Sequence, residues 1–323
     1  MSWAEDYRAL RDDVGALDLG RDVLRVSGAD AVQYLQGQLS QDVAALGVGE
    51  SADSLILTPQ GKLDALVRVS RTATDELILD VEAGFGEAVA ARLARFKLRV
   101  KAVIEPLDWR CVALRGPGAD AAARRAPRAG TALAPAFSWN GVAGVDLLGE
   151  APVVPTGVRA CSIEAWESLR VEAGIPAMGA ELDERTIAAE AQLLDRSVSF
   201  TKGCYTGQEL VARLDARGNR VARHLRGLVV APRAGIDPAV AGSWGVGPGS
   251  EIVVGGKVVG TVTSAAWSPA LGSPAALGFV HRTVEPGTVV EVRTVEPGTV
   301  EGETGSSGRQ PAVAAEVRGL PLI

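Results

Sequence analysis

Cysteine and histidine are the scarcest chemistry-bearing residues in this 323-residue chain, with three of the first and two of the second. Cys111, Cys161 and Cys204 are odd in number and far apart, and none belongs to a C-x-x-C pair. That excludes a disulfide framework and a self-contained zinc or iron–sulfur centre. His224 and His281 are too few for a multi-histidine site, so the chain by itself is expected to hold no metal. Aromatic residues make up only 4%, which leaves the core to Val, Leu and Ala and offers little for stacking bases. No run of about 18 apolar residues is present, so no membrane span is expected. The opening MSWAEDYRALRDDVG is charged and has no apolar stretch of the signal-peptide kind, which makes the cytoplasm the expected compartment. A net charge of -6 gives no overall nucleic-acid signature.

What is present reads as alternating strands and amphipathic helices. DVLRVSG (22–28) alternates like a strand, and ADAVQYLQGQLSQDV (29–43) has apolar residues at helical spacing. SLILTPQGKLDALVRV (54–69) is two apolar strands around a Pro-Gln-Gly turn. A strand at 76–84, a helix at 85–96 and a strand at 98–107 follow. A second round comprises strands at 109–116 and 141–149 and helices near 118–126 and at 162–174. This mixture of hairpins and crossovers predicts an α+β fold of two related halves, each a largely antiparallel sheet covered by helices. After about residue 220 the chain becomes short β-rich runs broken by Gly and Pro, which predicts a small β-barrel or sandwich. The expected domains are therefore 1–107, 108–220 and 221–323. TVEPGTV occurs twice, at 283–289 and 294–300; two copies are too few for a solenoid and read as one lengthened hairpin. GETGSSGRQP (302–311) reads as a flexible loop.

Chemistry concentrates in KGCYTGQE, Lys202 to Glu209. Gly203 and Gly207 permit tight or left-handed backbone, and a helix starts near Gln208. A helix N-terminus and the Lys202 ammonium would both favour the thiolate of Cys204. Cys111 and Cys161 lie in surroundings typical of buried thiols that behave as small hydrophobes. Glu172, in LRVEAGIP, lies at a helix end where the dipole disfavours a carboxylate, so it is either solvated or placed there for a further reason. The Pro-Gln-Gly-Lys turn at 59–62 reads as a plain polar hairpin turn. Residues 202–226 carry six basic and two acidic side chains, which fits either an anion site or a solvated basic face.

Taken in order, LRVSGADAVQYLQGQLSQDV, LTPQGKL, RVEAGIP and KGCYTGQE resemble the YgfZ/GcvT-like folate-binding family over nearly the whole chain. That family includes bacterial YgfZ, its mitochondrial iron–sulfur assembly relatives and, more distantly, the glycine-cleavage T-protein. The resemblance implies two α+β segments around a folate channel and a C-terminal barrel. It implies tetrahydrofolate or a one-carbon derivative as ligand, with the pterin on Glu172 and with Arg170, Tyr205 and Gln208 as further folate-binding residues. A carboxylate suits a pterin, because it accepts two parallel N–H bonds. Cys204 and Lys202 are the implied reactive pair, framed by Gly203, Gly207 and Glu209. The chain departs from the T-protein pattern at its Asp pair, where an ungapped match places Ala65 and Leu66. Asp64 falls one residue early, and on a strand a one-residue slip turns a side chain to the other face.

The resemblance therefore implies a folate-dependent accessory protein. It would support iron–sulfur cluster assembly or repair in client enzymes, including radical enzymes that modify tRNA, with iron–sulfur client or assembly proteins as partners. A single cysteine offers one cluster ligand, so a stable cluster would need ligands from a partner. The alternatives are a one-carbon or aminomethyl transferase and a weak RNA contact through the basic run.

Overall fold

Some strands alternate buried and exposed residues, as along Ala312–Arg318, while others, such as Glu76–Glu82 and Ser273–His281, are buried along nearly their whole length. The computed structural model describes residues 3–294 and 312–323. In chain order the elements are α1 (Trp3–Asp12), β1 (Gly15–Asp18), β2 (Arg21–Ser27), α2 (Ala31–Gln38), β3 (Ser51–Leu57), β4 (Leu63–Ala73), β5 (Glu76–Glu82), α3 (Gly86–Arg95) and β6 (Val103–Leu107). These are followed by β7 (Arg110–Arg115), α4 (Ala119–Arg125), β8 (Ala136–Trp139), β9 (Val142–Gly149), β10 (Arg159–Ala160), α5 (Ile163–Ala173), α6 (Leu194–Ser197) and α7 (Gln208–Asp215). The last group is β11 (Arg223–Val230), β12 (Glu251–Val254), β13 (Lys257–Ser268), β14 (Ser273–His281), β15 (Val289–Arg293) and β16 (Ala312–Arg318).

The chain divides into two compact units, residues 1–162 with 177–220 and residues 163–176 with 221–323. The first unit holds two five-stranded sheets, ordered β3-β4-β5-β2-β6 and β10-β1-β7-β9-β8. The first sheet is antiparallel throughout. The second takes β1 from the start of the chain, and its short β1–β10 pairing is parallel. Four residues of GALD carry too little alternation to announce that strand, and its pairing with β7 is a purely long-range event.

Charges set within apolar runs join the two sheets. Arg68 on β4 donates to Asp80 on β5 at 2.9 Å and to Asp146 on β9 at 2.6 Å. Arg21 on β2 meets Asp80 at 2.8 Å, and Arg115 on β7 meets the other oxygen of Asp146 at 2.6 Å. Arg68, Asp80, Asp146 and Arg115 are all buried. Burial opposes the charge on Asp146, but Arg115 and Arg68 overcome it and hold its carboxyl well below the usual range.

The second unit is built on a closed barrel, β11-β14-β13-β12-β15-β16, shut by β16 returning to β11. Its interior is almost entirely Val, Leu, Ile and Ala, including Leu228, Val230, Ile252, Val292 and Val317. The fold is thus α+β with a six-stranded barrel at its C-terminal end. Helix α5 belongs to this unit and packs on β13 and β14.

Two elements are shorter than their sequence spacing predicts. The periodic stretch 29–43 forms a helix only to Gln38, because Leu39 turns extended and bridges Ile56 of β3. The stretch 98–107 is a strand only from Val103, since Arg99 has φ +57 and the Lys101 N–H is held by Asp30 Oδ2 at 2.8 Å. The second TVEPGTV copy beyond Thr294 and GETGSSGRQP lie outside the described residues.

Candidate functional site

The octapeptide lies in the first unit, between the α6 region and α7. Gly207 is the N-cap of α7 with φ +83, a conformation open to glycine at little cost. A Cβ there would lie 2.5 Å from the Thr58 carbonyl oxygen. Across from it, a Cβ on Gly61 would lie 2.4 Å from Leu210 Cβ. The LTPQGK turn and KGCYTGQE, more than 140 residues apart, therefore touch backbone to backbone through two glycines. The turn that reads from sequence as a plain hairpin connection is half of this contact.

Lys202 fixes the other side of the segment. Its Nζ donates to the carbonyls of Gln36, Leu39 and Gln41 at 2.7, 2.6 and 2.8 Å. These carbonyls end α2 and its exit, where a helix leaves acceptors unsatisfied and favours a cation. Burial draws the Lys202 pKa down to about 8, yet three acceptors call for all three N–H groups of the ammonium. The Tyr205 ring centroid lies 5.1 Å from this Nζ, and burial pushes the phenol up to about 12. Thr206 N–H donates to the Gly37 carbonyl at 3.0 Å. The Gln208 side chain reaches back, its Oε1 accepting from the Tyr205 N–H at 3.2 Å.

Cys204 stands exposed on this pinned segment. It lies three residues ahead of the α7 N-cap, outside the first turn where the helix dipole acts. The Lys202 ammonium is committed to carbonyl oxygens. Gly203 has open space around it and Glu209 is exposed. Burial pushes the Cys111 thiol well above its ordinary range and the Cys161 thiol up to about 11. Among the described residues, no group of three or more His, Cys, Asp or Glu side chains is arranged to hold a metal ion.

The other sequence-derived site residues lie in the second unit. Glu172, near the end of α5, is 0% exposed, so it is not the solvated carboxylate that the helix dipole alone allows. Its Oε1 accepts from the Ser268 hydroxyl and from the Ala270 N–H. Arg170 donates to Glu167 at 2.7 Å, to the Ile175 carbonyl at 2.9 Å and to Ser264 Oγ at 2.8 Å. The basic run of 202–226 is divided: Arg213, Arg217 and Arg220 are exposed in the first unit, while Arg223 and Arg226 lie on β11 of the second. Arg223 stacks over Phe279, 4.3 Å from the ring centroid.

At the position where T-protein-like chains carry their Asp pair, β4 is bulged, with Leu63 facing Leu57 and Ala65 facing Ile56. Asp64 is the unpaired residue of that bulge. Leu63, Ala65 and Val67 are buried, whereas Asp64 and Leu66 are both partly exposed. Asp64 therefore shares the face of Leu66, two positions away, and is opposed only to Ala65. Its Oδ2 meets Arg92 Nε at 3.0 Å, and Arg92 also binds Gln38 Oε1 and the Leu57 carbonyl. Sequence reasoning missed Arg92 and the buried chain from Arg21 to Arg115. The second had a signal, since Arg68 in LVRVS and Asp80 in LILDV interrupt otherwise apolar strands.

Comparison with known proteins bears on the fold. Residues 223–304 match the family of the glycine cleavage T-protein C-terminal barrel domain. The chain is 28% identical over 198 residues to an uncharacterized protein of Haemophilus influenzae, covering 61% of this chain and 66% of that one. It is 29% identical over 330 residues to an aminomethyltransferase of Saccharopolyspora erythraea, covering 90% and 85% of the two chains. The crystal structure of glycine cleavage system aminomethyltransferase T from Bartonella henselae superposes with a TM-score of 0.78 at 22% identity, over 100% of this chain and 90% of that one. This chain therefore has the T-protein-like fold, and its C-terminal barrel matches the glycine cleavage T-protein C-terminal barrel domain.

Proposed function

We propose that this protein is a tetrahydrofolate-binding accessory factor that supports iron–sulfur cluster assembly or repair in client enzymes, with Cys204 as its reactive thiol. The observation that carries this reading is an exposed cysteine on a segment held rigidly from both sides, by the Lys202 clasp and by the Gly61–Gly207 contact. Such a thiol is displayed to a partner, and among the described residues no group of three or more metal-ligating side chains is arranged to hold a cluster there.

Folate binding is supported by the fold and by the chemistry of Glu172. An acceptor-only carboxylate, oriented through one oxygen by Ser268 and Ala270, suits the adjacent N–H donors of a pterin. Because the group is fully buried, a ligand reaches it by displacing what covers it. Arg170, Tyr205 and Gln208 serve this reading by positioning: the first braces the end of α5, and the other two shape the segment that carries Cys204.

Aminomethyl transfer is the second reading, favoured by the names of the relatives and by Asp64 lying on the face of Leu66. Against it, Asp64 is engaged with Arg92 and Leu66 cannot exchange a proton.

One experiment in two arms tests the first reading. Calorimetric titration with tetrahydrofolate compares wild type with Glu172→Gln, which keeps an acceptor for Ser268 but replaces the second oxygen by a donor. At least a tenfold loss is expected, as for one charge-assisted pair. In parallel, Cys204→Ser is tested for restoring iron–sulfur enzyme activities in a deletion strain. Full restoration by Cys204→Ser removes Cys204 from the proposal, unchanged affinity in Glu172→Gln removes the pterin assignment, and aminomethyl transfer in vitro establishes the second reading.

A further inference from the structure

Helix α5 lies on the barrel, over β13 and β14. Its last carbonyls lack intrahelical partners, as at any helix end. Two of them are satisfied locally, the Arg170 carbonyl by the Ile175 N–H at 2.9 Å and the Val171 carbonyl by the Gly174 N–H at 3.1 Å. The carbonyl of Glu172 itself accepts the Leu322 N–H at 2.7 Å. Residues 319–323, which follow β16, therefore return to the turn of helix that carries Glu172.

Two glycines make the seat for this segment. A Cβ on Gly227 of β11 would lie 2.2 Å from Leu322 Cδ2, and a Cβ on Gly174 would lie 2.8 Å from Leu320 Cδ2. Leu322 is buried there and Leu320 is half-buried. The hold is nonetheless thin. Strand β16 pairs with β11 only as far as Arg318, and among the described residues the Leu322 N–H makes the one hydrogen bond of residues 320–323. By contrast, the Ser268 hydroxyl and the Ala270 N–H that meet the Glu172 carboxylate belong to the β13–β14 hairpin, which the barrel ladder locks.

We infer that residues 319–323 are a strap that closes over the end of α5 and opens to admit a ligand to Glu172. Glu172 is fully buried, so a ligand reaches it only when something moves. Helix α5 is pinned to β13 through Arg170 on Ser264 and Glu172 on Ser268, and the barrel is closed. A segment outside the ladders, with few buried contacts, is the part that opens at the lowest free energy. The closed strap lowers the apparent affinity of any ligand that needs the open state, by the fraction of molecules that are open. Loosening the strap therefore strengthens binding, whereas damage to a merely structural element weakens it. The strap rests on the folate reading only for the identity of what it admits, a pterin.

Carboxylate labelling of the full chain with a water-soluble carbodiimide and glycine ethyl ester, read by mass spectrometry, tests the strap without folate. Leu322→Ala should speed the labelling of Glu172 about fivefold or more, while Asp146, buried in the first unit, stays within about twofold of wild type. Leu320→Ala should act in the same direction, and Leu322→Met should return Glu172 to the wild-type rate. In stopped-flow mixing, tetrahydrofolate should associate with Leu322→Ala about fivefold faster or more. Unchanged labelling of Glu172, or an equal rise at Asp146, overturns the strap whatever folate does. Faster labelling without faster association, in a chain that binds tetrahydrofolate, overturns the gate. Faster labelling in a chain that binds no tetrahydrofolate upholds the strap and removes the folate reading.

Discussion

Replacing Lys202 with methionine removes an ammonium that holds three carbonyl oxygens while leaving the apolar stem in place. The bonds are 2.6–2.8 Å long, in the range of charge-assisted contacts. A hydrogen bond to a charged group contributes about 1.5–3 kcal/mol net. The three share one donor atom, and desolvation of the ammonium, the cause that draws its pKa down to about 8, offsets part of the total. A net loss of about 2–4 kcal/mol is expected. For a unit of about 200 residues this corresponds to a fall in melting temperature of roughly 4–16 °C. Lys202→Arg distinguishes this clasp from a generic charge effect, because a planar fork cannot serve three converging carbonyls as a compact ammonium does. Calorimetric melting of the full chain should show arginine recovering less than half of the loss. A methionine variant within about 0.5 kcal/mol of wild type, or full recovery by arginine, would refute the reasoning.

The buried ion chain gives a pH dependence of definite sign. Asp146 is held below its unfolded value, so its contribution is complete above about pH 4 and is lost as pH falls further; Asp146→Asn should destabilise by about 3–5 kcal/mol at pH 7 and flatten the acid limb of the melting curve. Gly207→Ala should cost more than about 2 kcal/mol through its φ of +83 and the close Thr58 carbonyl. Gly203→Ala, with nothing nearby, should stay within about 0.5 kcal/mol, and denaturant titration compares the two. In the folded protein a thiol reagent should label Cys204 first, Cys161 slowly and Cys111 only after denaturation; mass spectrometry of the labelled peptides would expose the opposite order.

Much of the fold is legible because it is local. The alternation in DVLRVSG and the apolar runs SLIL and LDALVRV survive as β2, β3 and β4, and the break in texture after residue 220 is the barrel. The octapeptide, too, is visible from spacing alone. Its partners are not: Lys202 meets α2 across more than 160 residues, and nothing in ADAVQYLQ announces that its last carbonyls await a cation. Asp64 shows the complementary limit. Counting one residue along an ideal strand sets it opposite the Ala65 position, but its relation to Leu66 follows from a period of two, and the bulge that isolates it from β3 depends on pairing. Strand β1 joins the second sheet for reasons held entirely in β7 and β10.

The sequence separation within the barrel unit bears on how the chain is made. Arg170 and Glu172 find Ser264 and Ser268 only after 94 and 96 further residues. As synthesis proceeds, α5 leaves the ribosome long before any strand it packs against exists. Its Leu169, Val171 and Ala173, buried in the finished protein, must wait unshielded while the barrel is translated. A fragment beginning at Val221 contains every strand of the barrel and lacks the helix that packs against β13 and β14, so it should be prone to self-association. Supplying residues 163–176 as a separate peptide should restore its solubility.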